Sequence, residues 1–496
     1  MPQSADTLAA IDLGSNSFHL LVARLENDQL QVLDRHKEMV RLAGGLDEAN
    51  NLDPQTRARA LACLRRFGQR LEGLPPQNVR IVGTNTLRRA RNAADFIAEA
   101  EQAVGHEIEI ISGREEARLI YLGVAHSLPS EPARRLVVDI GGGSTEVILG
   151  EGFDTRLRES LSMGCVSMTR RFFGDGRITA EAWQAAVTHA ELALLPLIRP
   201  YTERGWAVAV GSSGTLRSVA QVQRALGWSE GGITARGLRR LRKALLAAGR
   251  SEALDLPGLS EERRPVFVGG AAIAYAVFEA FRLEHMGISA GALREGVVYD
   301  LAGRLHHADV RGRSIAHLVK TFRVDTDQVA RVQQVMARLL ALGEASLGLT
   351  DAERQLLDWA VQLHEVGRVV AHGRYHRHGA YLVRHADMPG FSRQEQERLA
   401  LLIRLQRRRL GGKALHRLPA RERGRLLRLA LLLRVALVLR RDRRDAPVPL
   451  ERVKWKDGQL KLRFASGWLE AHPLTAADLA REAERALAAG WRLKYA

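Results

Sequence analysis

The chain has 496 residues, a formal net charge of +18 and two cysteines. Its length predicts two to four domains, each able to bury a core without disulfide staples. Cys63 and Cys165 are far apart in the sequence and in no metal-ligand spacing, which argues against a disulfide framework and a thiolate zinc site. Residues 1–7 lack the basic start and apolar run of a secretory signal, so we expect a cytoplasmic protein.

The basic excess is concentrated in the last third of the chain. Residues 1–305 hold 37 Lys and Arg against 36 Asp and Glu, whereas residues 306–496 hold 37 against 20. Such an excess attracts polyanions, so nucleic acid, an anionic membrane and polyphosphate are all candidate partners. The alternative interpretation is a set of solvated, arginine-rich helix faces, which is the commoner origin of any single basic cluster.

Strands and helices alternate through the first part of the chain, which is typical of an α/β domain. The opening apolar run is interrupted by Gly, Ser and Asn and then resumes, which predicts a strand, a tight turn and a second strand. The elements predicted in order are strand–turn–strand at 8–25, a helix at 54–71, a strand at 79–83, a helix at 93–104, a strand at 107–111 and a helix from 115 onward.

The opening pattern occurs twice. Residues 136–150 repeat the strand–turn–strand arrangement, and AIDLGSNS at 10–17 is similar to VDIGGGST at 138–145. Such a duplication predicts two related lobes that face each other, with a boundary near 126–133. From about residue 305 the sequence changes to long amphipathic stretches such as 327–347 and 352–366, which predict a separate helical domain.

Three glycine-rich turns follow predicted strands. Glycine lets backbone N–H groups approach a phosphate closely, and the neighbouring hydroxyls add donors. One such turn is usually only a turn, but three at strand ends indicate a phosphate site. Arg88 belongs to a basic cluster that either binds the same anion or is solvated. The predicted substrate-binding residues are Gly14, Ser15, Asn16, Ser17, Arg88, Gly141, Gly142, Gly143, Ser144, Thr145, Gly211, Ser212, Ser213 and Gly214.

Carboxylates accompany these turns. Asp12 and Asp139 end the two duplicated strands, and Glu146 follows the second loop, so all three are candidate Mg²⁺ ligands. The alternative for the aspartates is that each caps a turn. Glu115 and Glu116 lie in the first turn of a helix predicted to be capped by Ser112; either can serve as the general base for an attacking water, and their spacing does not distinguish them.

Together these motifs resemble the exopolyphosphatase and guanosine pentaphosphate phosphohydrolase family over essentially the whole chain. The matching stretches are AIDLGSNSFH at 10–19, GTNTLR at 83–88, IISGREEARLIYLG at 110–123, VDIGGGSTE at 138–146, MGCV at 163–166, the turn at 211–215 and GALREG at 291–296. The resemblance implies actin-like lobes around the site, a Mg²⁺ requirement, water attack on a terminal phosphoryl group and a homodimer. It also implies that Glu116 is the base and that Asp139 and Glu146 associate with the metal.

The resemblance extends to an HD-like helical domain with a degenerate metal site. LHEVG at 363–367 has Glu365 where an active HD phosphohydrolase needs the aspartate of its His-Asp pair. The fold expected is therefore α/β, with two actin-like (ribonuclease H-like) lobes, the α-helical HD-like domain and a small C-terminal cap. The predicted limits are 1–127, 128–305, 306–445 and 446–496.

The first functional hypothesis is an Mg²⁺-dependent exopolyphosphatase, with K⁺ as a candidate activator. The GGGSTE loop and the basic C-terminal third suit a long, uniformly charged substrate. Hydrolysis of guanosine pentaphosphate to the tetraphosphate is the alternative, and an ATP-dependent kinase or ATPase and a basic nucleic-acid binder are hypotheses from other classes. We expect polyphosphate and a second copy of the chain as partners and no nucleic acid, and a peripheral contact with an anionic membrane stays open.

Overall fold

Residues 7–26, 29–128, 133–305, 309–412, 415–416 and 418–496 are described by a computed structural model of the chain. The chain divides into two compact units, Met1–Asp309 and Val310–Ala496. The described residues do not include most of the N-terminal segment. They also do not include residues 129–132, at the predicted lobe boundary, or residues 306–308, at the predicted start of the helical domain.

The first lobe is a five-stranded sheet with helices. Its strands are ordered β3-β2-β1-β4-β5, with β2 antiparallel to β1 and β3, and with β4 parallel to β1 and β5. The elements are β1 (Thr7–Leu13), β2 (Phe18–Glu26), β3 (Gln29–Glu38), α1 (Pro54–Leu71), β4 (Val79–Gly83), α2 (Asn85–Arg89), α3 (Ala93–Val104), β5 (Ile108–Ile110) and α4 (Gly113–His126).

The second lobe repeats this order with one added strand. Its sheet runs β10-β11-β9-β6-β7-β8, so β8, β7, β6, β9 and β11 correspond to the five strands of the first lobe. The elements are β6 (Arg134–Ile140), β7 (Thr145–Glu151), β8 (Asp154–Leu161), α5 (Cys165–Phe172), α6 (Ala180–Arg204), β9 (Val208–Ser212), α7 (Ser213–Ala225), β10 (Ile233–Thr234), α8 (Ala235–Ala248), α9 (Arg264–Phe281), β11 (His285–Ile288) and α10 (Leu293–Leu305).

The repeated sheet order confirms the predicted pair of actin-like lobes. Parallel central strands covered on both faces read as continuous apolar runs, which is why β1 and β6 were recognisable from the sequence. The helix at 54–71 is confirmed as well: Pro54 starts α1, and the Asp53 side chain caps it by accepting from the Thr56 N–H. Among the described helices, only α9 has the length and apolarity of a membrane span, and most of it is buried in the second lobe.

Helices α4 and α10 lie in one apolar cluster that contains side chains from both sheets. Their backbones approach closely at glycines. A Cβ added to Gly296 would lie 1.8 Å from the Leu119 carbonyl oxygen, and one added to Gly123 would lie 2.1 Å from the Ala292 carbonyl oxygen. Helix α10 also packs against β1, β2 and β4. Residues 293–305, which we expected to belong to the second lobe, are therefore in contact with the first sheet.

A buried ionic cluster fixes the other end of this helix pair. Asp300 on α10 accepts from Arg118 on α4 and, at 2.6 Å, from Arg80 on β4. Arg304 donates to the same carboxylate at 3.0 Å. Burial alone would raise the pKa of Asp300, but the three guanidinium groups outweigh it and hold that pKa well below its usual range. Arg118 also pairs with Glu115 at 2.8 Å.

The second unit is a helical domain that carries a three-stranded sheet. One hydrophobic core contains residues from the helices and from all three strands, so the predicted cap shares its core with the helices. The elements are α11 (Val310–Thr321), α12 (Thr326–Leu347), α13 (Asp351–Leu363), α14 (Tyr375–His385), α15 (Arg393–Leu405), α16 (Ala420–Leu439), β12 (Leu450–Lys456), β13 (Gln459–Phe464), α17 (Trp468–Ala471), α18 (Pro473–Leu487) and β14 (Arg492–Tyr495).

At the HD-like position, the acidic residue Glu365 forms ion pairs with two arginines. Glu365 pairs with Arg368 at 2.7 Å and with Arg443 at 2.5 Å. His364 is buried, and its Nδ1 lies 2.6 Å from the Val361 carbonyl oxygen. The two side chains are therefore held by protein partners.

Candidate functional site

A cavity of about 360 Å³ lies in the first unit and is lined by loops from both lobes. The loops after β1 and β6 meet here: a Cβ added to Gly142 would lie 3.0 Å from the Ser15 Cβ. The duplicated turns therefore face the same space. The predicted site residues that line it are Asp12, Gly14, Ser15, Asn16, Ser17, Glu116, Asp139, Gly141, Gly142, Gly143, Ser144, Glu146, Ser213 and Gly214.

Glycine is required where the loops approach each other. A Cβ on Gly143 would lie 2.6 Å from Asn85 Oδ1, and one on Gly164 would lie 2.5 Å from the Gly142 backbone. Contacts this short leave no space for a side chain. The loop after β6 is therefore packed between the first lobe and the start of α5, which fixes its position at the cavity.

Asp12 and Asp139 occupy equivalent positions, each one residue before the end of its strand. In the hairpin register, Asp12 lies opposite His19 on β2, and Asp139 lies opposite Glu146 on β7. Burial, reinforced by the charge of Glu116, raises the pKa of Asp12 to about 8. Burial also raises the pKa of Asp139 to about 6 and that of Glu146 well above its usual range. These carboxylates are therefore buried and close enough for their charges to repel one another.

The carboxylates meet the requirements for a hydrated divalent cation. Asp12 Oδ1 is buried and has no hydrogen-bond partner, so a ligand at that oxygen would satisfy it. Within the described ranges, no group of three or more His, Cys, Asp or Glu side chains is arranged to hold a metal by itself. Mg²⁺ commonly keeps several waters and takes one or two carboxylates together with substrate phosphates. Asp12, Asp139 and Glu146 fit that pattern, and they do not form a closed metal cage.

The structure separates the two adjacent glutamates of α4. The Ser112 side chain caps the helix by accepting from the Glu115 N–H, as expected. Glu116 lines the cavity, and its Oε2 accepts from Arg88 Nη1 at 2.7 Å. Glu115 is buried against Arg118. Of the two, Glu116 is therefore the one positioned to accept a proton from a water in the cavity.

Four predicted substrate-binding residues are absent from the described cavity lining. Arg88 lies behind Glu116 and also donates to the Ile111 carbonyl. Thr145 is fully buried, and its hydroxyl donates to the Met163 carbonyl at 2.7 Å. Gly211 and Ser212 belong to β9, where Ser212 is buried beside Asp139. These residues therefore support the site from outside the cavity. The sequence motifs include them because each motif is longer than the part of its loop that lines the cavity.

The sequence analysis did not assign any of the basic residues that line the cavity. His19 could have been found, because the duplication places it opposite Asp12 as Glu146 lies opposite Asp139. Burial, with Arg294 and Lys37 nearby, lowers the pKa of His19 to about 3, so its imidazole is neutral at pH 7. Arg294 lay in the recognised GALREG stretch without a role. The missed lining residues are His19, Arg35, Lys37, Arg217, Arg263 and Arg294.

Two actin-like lobes bring glycine-rich loops and a group of carboxylates to one cavity, which is the arrangement expected of an enzyme that acts on phosphoanhydride bonds. The chain belongs to the Ppx/GppA phosphatase family, whose model matches residues 21–305. A second model, for domain III of Ppx/GppA phosphatases, matches residues 310–483. Together the two matches cover both units of the structure.

The chain is similar over nearly its whole length to proteins of one name. It is 41% identical to a guanosine-5'-triphosphate,3'-diphosphate pyrophosphatase of Vibrio cholerae, over 99% of this chain and 98% of that protein. It is 40% identical to the protein of that name from Photobacterium profundum, over 98% and 97% of the two chains.

Among solved structures, the chain is similar to an exopolyphosphatase from Cytophaga hutchinsonii, with 27% identity and a TM-score of 0.55 over 60% of this chain and 98% of the other. It is also similar to the Aquifex aeolicus PPX-GPPA enzyme, with 26% identity and a TM-score of 0.51 over 59% and 98%.

These comparisons correct the first functional hypothesis. The prediction of an exopolyphosphatase is wrong, because the relatives that match both units at 39% to 41% identity carry the other name. The GGGSTE loop did not distinguish polyphosphate from the nucleotide, since a loop that binds phosphate can bind any terminal phosphate. The basic C-terminal third did not discriminate either, because net charge reports on polyanions in general.

Proposed function

We propose that this chain hydrolyses guanosine 5′-triphosphate 3′-diphosphate and releases the terminal 5′ phosphate. The observation that carries the proposal is the 41% identity over 99% of the chain to a protein named for that substrate. The cavity is compatible with the proposal, because its lining combines glycine-rich loops with Arg35, Lys37, Arg217, Arg263 and Arg294. Donors and positive charges of this kind offset the cost of moving a polyphosphorylated ligand out of water.

In the proposed reaction, a water oxygen attacks the terminal phosphorus and the bond to the bridging oxygen breaks. Glu116 accepts the proton of the attacking water, and Arg88 fixes the orientation of its carboxylate through the 2.7 Å hydrogen bond. The N–H groups of the Gly14 and Gly141 loops hold the phosphate oxygens. The departing group is the guanosine bis-diphosphate, whose negative charge the basic lining balances as the bond breaks.

The proposal includes Mg²⁺, with Asp12, Asp139 and Glu146 as the residues that would hold it. The ion would neutralise charge on the phosphate oxygens. Activation by K⁺, the homodimer, a cytoplasmic location and contact with an anionic membrane stay predictions.

The test is release of orthophosphate by the purified chain with Mg²⁺, using guanosine pentaphosphate and long-chain polyphosphate at equal concentrations of terminal phosphate. We expect kcat/KM to favour the nucleotide by at least about tenfold, which corresponds to roughly 1.4 kcal/mol. The control is Glu116→Gln, in which both activities should fall together if one site performs them. A preference for polyphosphate would refute the proposal.

A further inference from the structure

The sheet of the second unit exposes a face that consists almost entirely of cations. Lys454, Lys461 and Lys494 stand side by side on β12, β13 and β14. Arg452 pairs with Arg463 on one side of this row, and Lys456, Gln459 and Arg492 form a row on the other. All seven cations are exposed. We call this set the basic sheet face: Arg452, Lys454, Lys456, Lys461, Arg463, Arg492 and Lys494.

The opposite side of the same strands is apolar and needs no cations for folding. Val453, Leu460, Leu462, Phe464 and Leu493 alternate with the basic residues and are buried in the core of the unit. Like charges directly opposite each other on neighbouring strands destabilise a sheet. The buried apolar residues therefore stabilise the sheet, and the exposed cations do not. The presence of the cations needs an explanation other than folding.

Protection of sheet edges does not account for the pattern. Lysines on edge strands prevent pairing with other chains, and β12 and β14 are the edges here. Lys461 and Arg463, however, lie on the central strand β13. A solvated surface normally mixes both signs of charge. In the part of the chain that the structure describes, only Arg463 of this face has a recorded acidic partner, Glu451 at 3.5 Å.

We propose that the basic sheet face binds the sugar–phosphate backbone of a nucleic acid without reading its bases. Strands lie about 4.8 Å apart and side chains on one face recur about every 7 Å, so the cations form a closely spaced array that a polyanion can neutralise along its length. The face presents no aromatic side chain on which a base could stack and no apolar side chain that could enter a bilayer. This proposal opposes our expectation that nucleic acid is not a partner.

The test measures binding of a short RNA duplex to the full-length protein by fluorescence anisotropy at several salt concentrations. If all seven cations contact phosphates, a plot of log K against log salt concentration should have a slope of roughly −6. The triple variant Lys454→Gln, Lys461→Gln and Lys494→Gln should have a shallower slope of roughly −4. The matched control combines Arg236→Gln, Arg239→Gln and Arg240→Gln, which remove three exposed cations from α8. The control should keep the wild-type slope.

Several outcomes would overturn the proposal. One is failure of the wild-type chain to bind the duplex at physiological salt. Another is an equal change of slope in both triple variants, which would mean that net charge alone drives binding. Retention on vesicles of phosphatidylserine and phosphatidylcholine without duplex binding would assign the face to a membrane instead. The sheet variant should be no less stable than wild type and should keep its phosphate-release activity, so misfolding cannot imitate the result.

Discussion

Glu115 and Glu116 are neighbours in the sequence and have different surroundings. Glu116 lines the cavity and accepts from Arg88, whereas Glu115 is buried against Arg118 in the ionic cluster around Asp300. A single helical step of about 100° is enough to place one glutamate in the cavity, as the proposed base, and its identical neighbour in the ionic cluster.

Substitution of Glu116 by Gln should affect chemistry and leave folding intact, because the loss of its ion pair with Arg88 is offset by the loss of its repulsion from the neighbouring buried carboxylates. We expect Glu116→Gln to lower kcat by about 10² to 10⁴ while substrate affinity, measured by calorimetry, stays within a few fold. The control is Glu115→Gln, which should lower the melting temperature and leave kcat of the folded enzyme nearly unchanged. Normal turnover in Glu116→Gln, or loss of kcat without loss of stability in Glu115→Gln, would show that the roles are reversed or absent.

Asp139→Asn should raise the concentration of Mg²⁺ that supports half-maximal activity. The reason is that the amide keeps one oxygen ligand and loses the negative charge that attracts the ion. Asp154→Asn, at the exposed start of β8, is the matched control and should not move the titration. An unchanged Mg²⁺ titration for Asp139→Asn would contradict its proposed role.

Helices α4 and α10 connect the cavity to the buried ionic cluster. Helix α4 contributes Glu116 and α10 contributes Arg294 at the cavity, while Arg118 and Asp300 lie deeper along the same helices. Glycines hold the two backbones together at Leu119 and Gly123, on the C-terminal side of Arg118. The position of the proposed base therefore depends on contacts well outside the cavity.

Removal of the charge of Asp300 should be costly. Three arginines would lose their common partner in Asp300→Asn, and we expect unfolding in urea to show a loss of about 3 to 5 kcal/mol at pH 7. Because the pKa of Asp300 is lowered in the folded state, its contribution is complete above the unfolded pKa of about 3.9 and declines as the pH falls below it. The gap between variant and wild type should therefore narrow on acidification.

The control for this prediction is Glu203→Gln, which removes an exposed ion pair with Arg199. Exposed pairs are worth about 0 to 1 kcal/mol, so this variant should unfold close to wild type at every pH. If Asp300→Asn costs no more than the control, the buried cluster does not stabilise the helix pair.

A methyl group at Gly296 should separate α10 from α4. The added Cβ would meet the Leu119 carbonyl at 1.8 Å, so we expect Gly296→Ala to lose about 1 to 3 kcal/mol of stability and part of kcat. Gly312→Ala is the matched control, because no atom lies within 4 Å of its added Cβ and it is on helix α11. The control should gain up to about 1 kcal/mol. Equal effects on stability would contradict the close-packing argument.

At the scale of the whole molecule, the two units have separate hydrophobic cores. One cluster lies within Val310–Ala496, and the other three lie within Met1–Asp309. Calorimetry should therefore give a measured unfolding enthalpy larger than the van't Hoff value. Gly296→Ala should shift only the transition of the first unit and Gly312→Ala only that of the second. A single transition with matching enthalpies would mean that the units unfold together.

Local patterns in the sequence predicted the interior of the fold better than its edges. The strands β1, β4 and β6 and the helices α1 and α3 were recognisable from apolar runs and 3.6-residue periodicity. Strands β3 and β8 were missed because edge strands such as QLQVLDRHKE are largely polar and resemble solvated loops. The third sheet was only suspected, because its alternation VKWK and KLRF extends over few residues.

The site was predictable where it is built from contiguous residues. The glycine loops and their aspartates form local motifs, so the sequence located them. Arg35, Arg217 and Arg263 come from three distant segments with ordinary surroundings, and only the tertiary fold brings them to one cavity. The choice of substrate had no local motif either, because a terminal phosphate presents the same oxygens on a nucleotide and on polyphosphate.

The duplicated hairpins differ at the position that faces each aspartate. Asp139 has kept an acidic partner, whereas Asp12 faces a neutral imidazole that lies 3.4 Å from an Arg294 guanidinium nitrogen. In an ancestral dimer of identical halves, every mutation would have changed both halves at once. Fusion of the halves into one chain removes that constraint, so that the residue facing Asp12 and the residue facing Asp139 can differ in charge while the shared backbone stays unchanged.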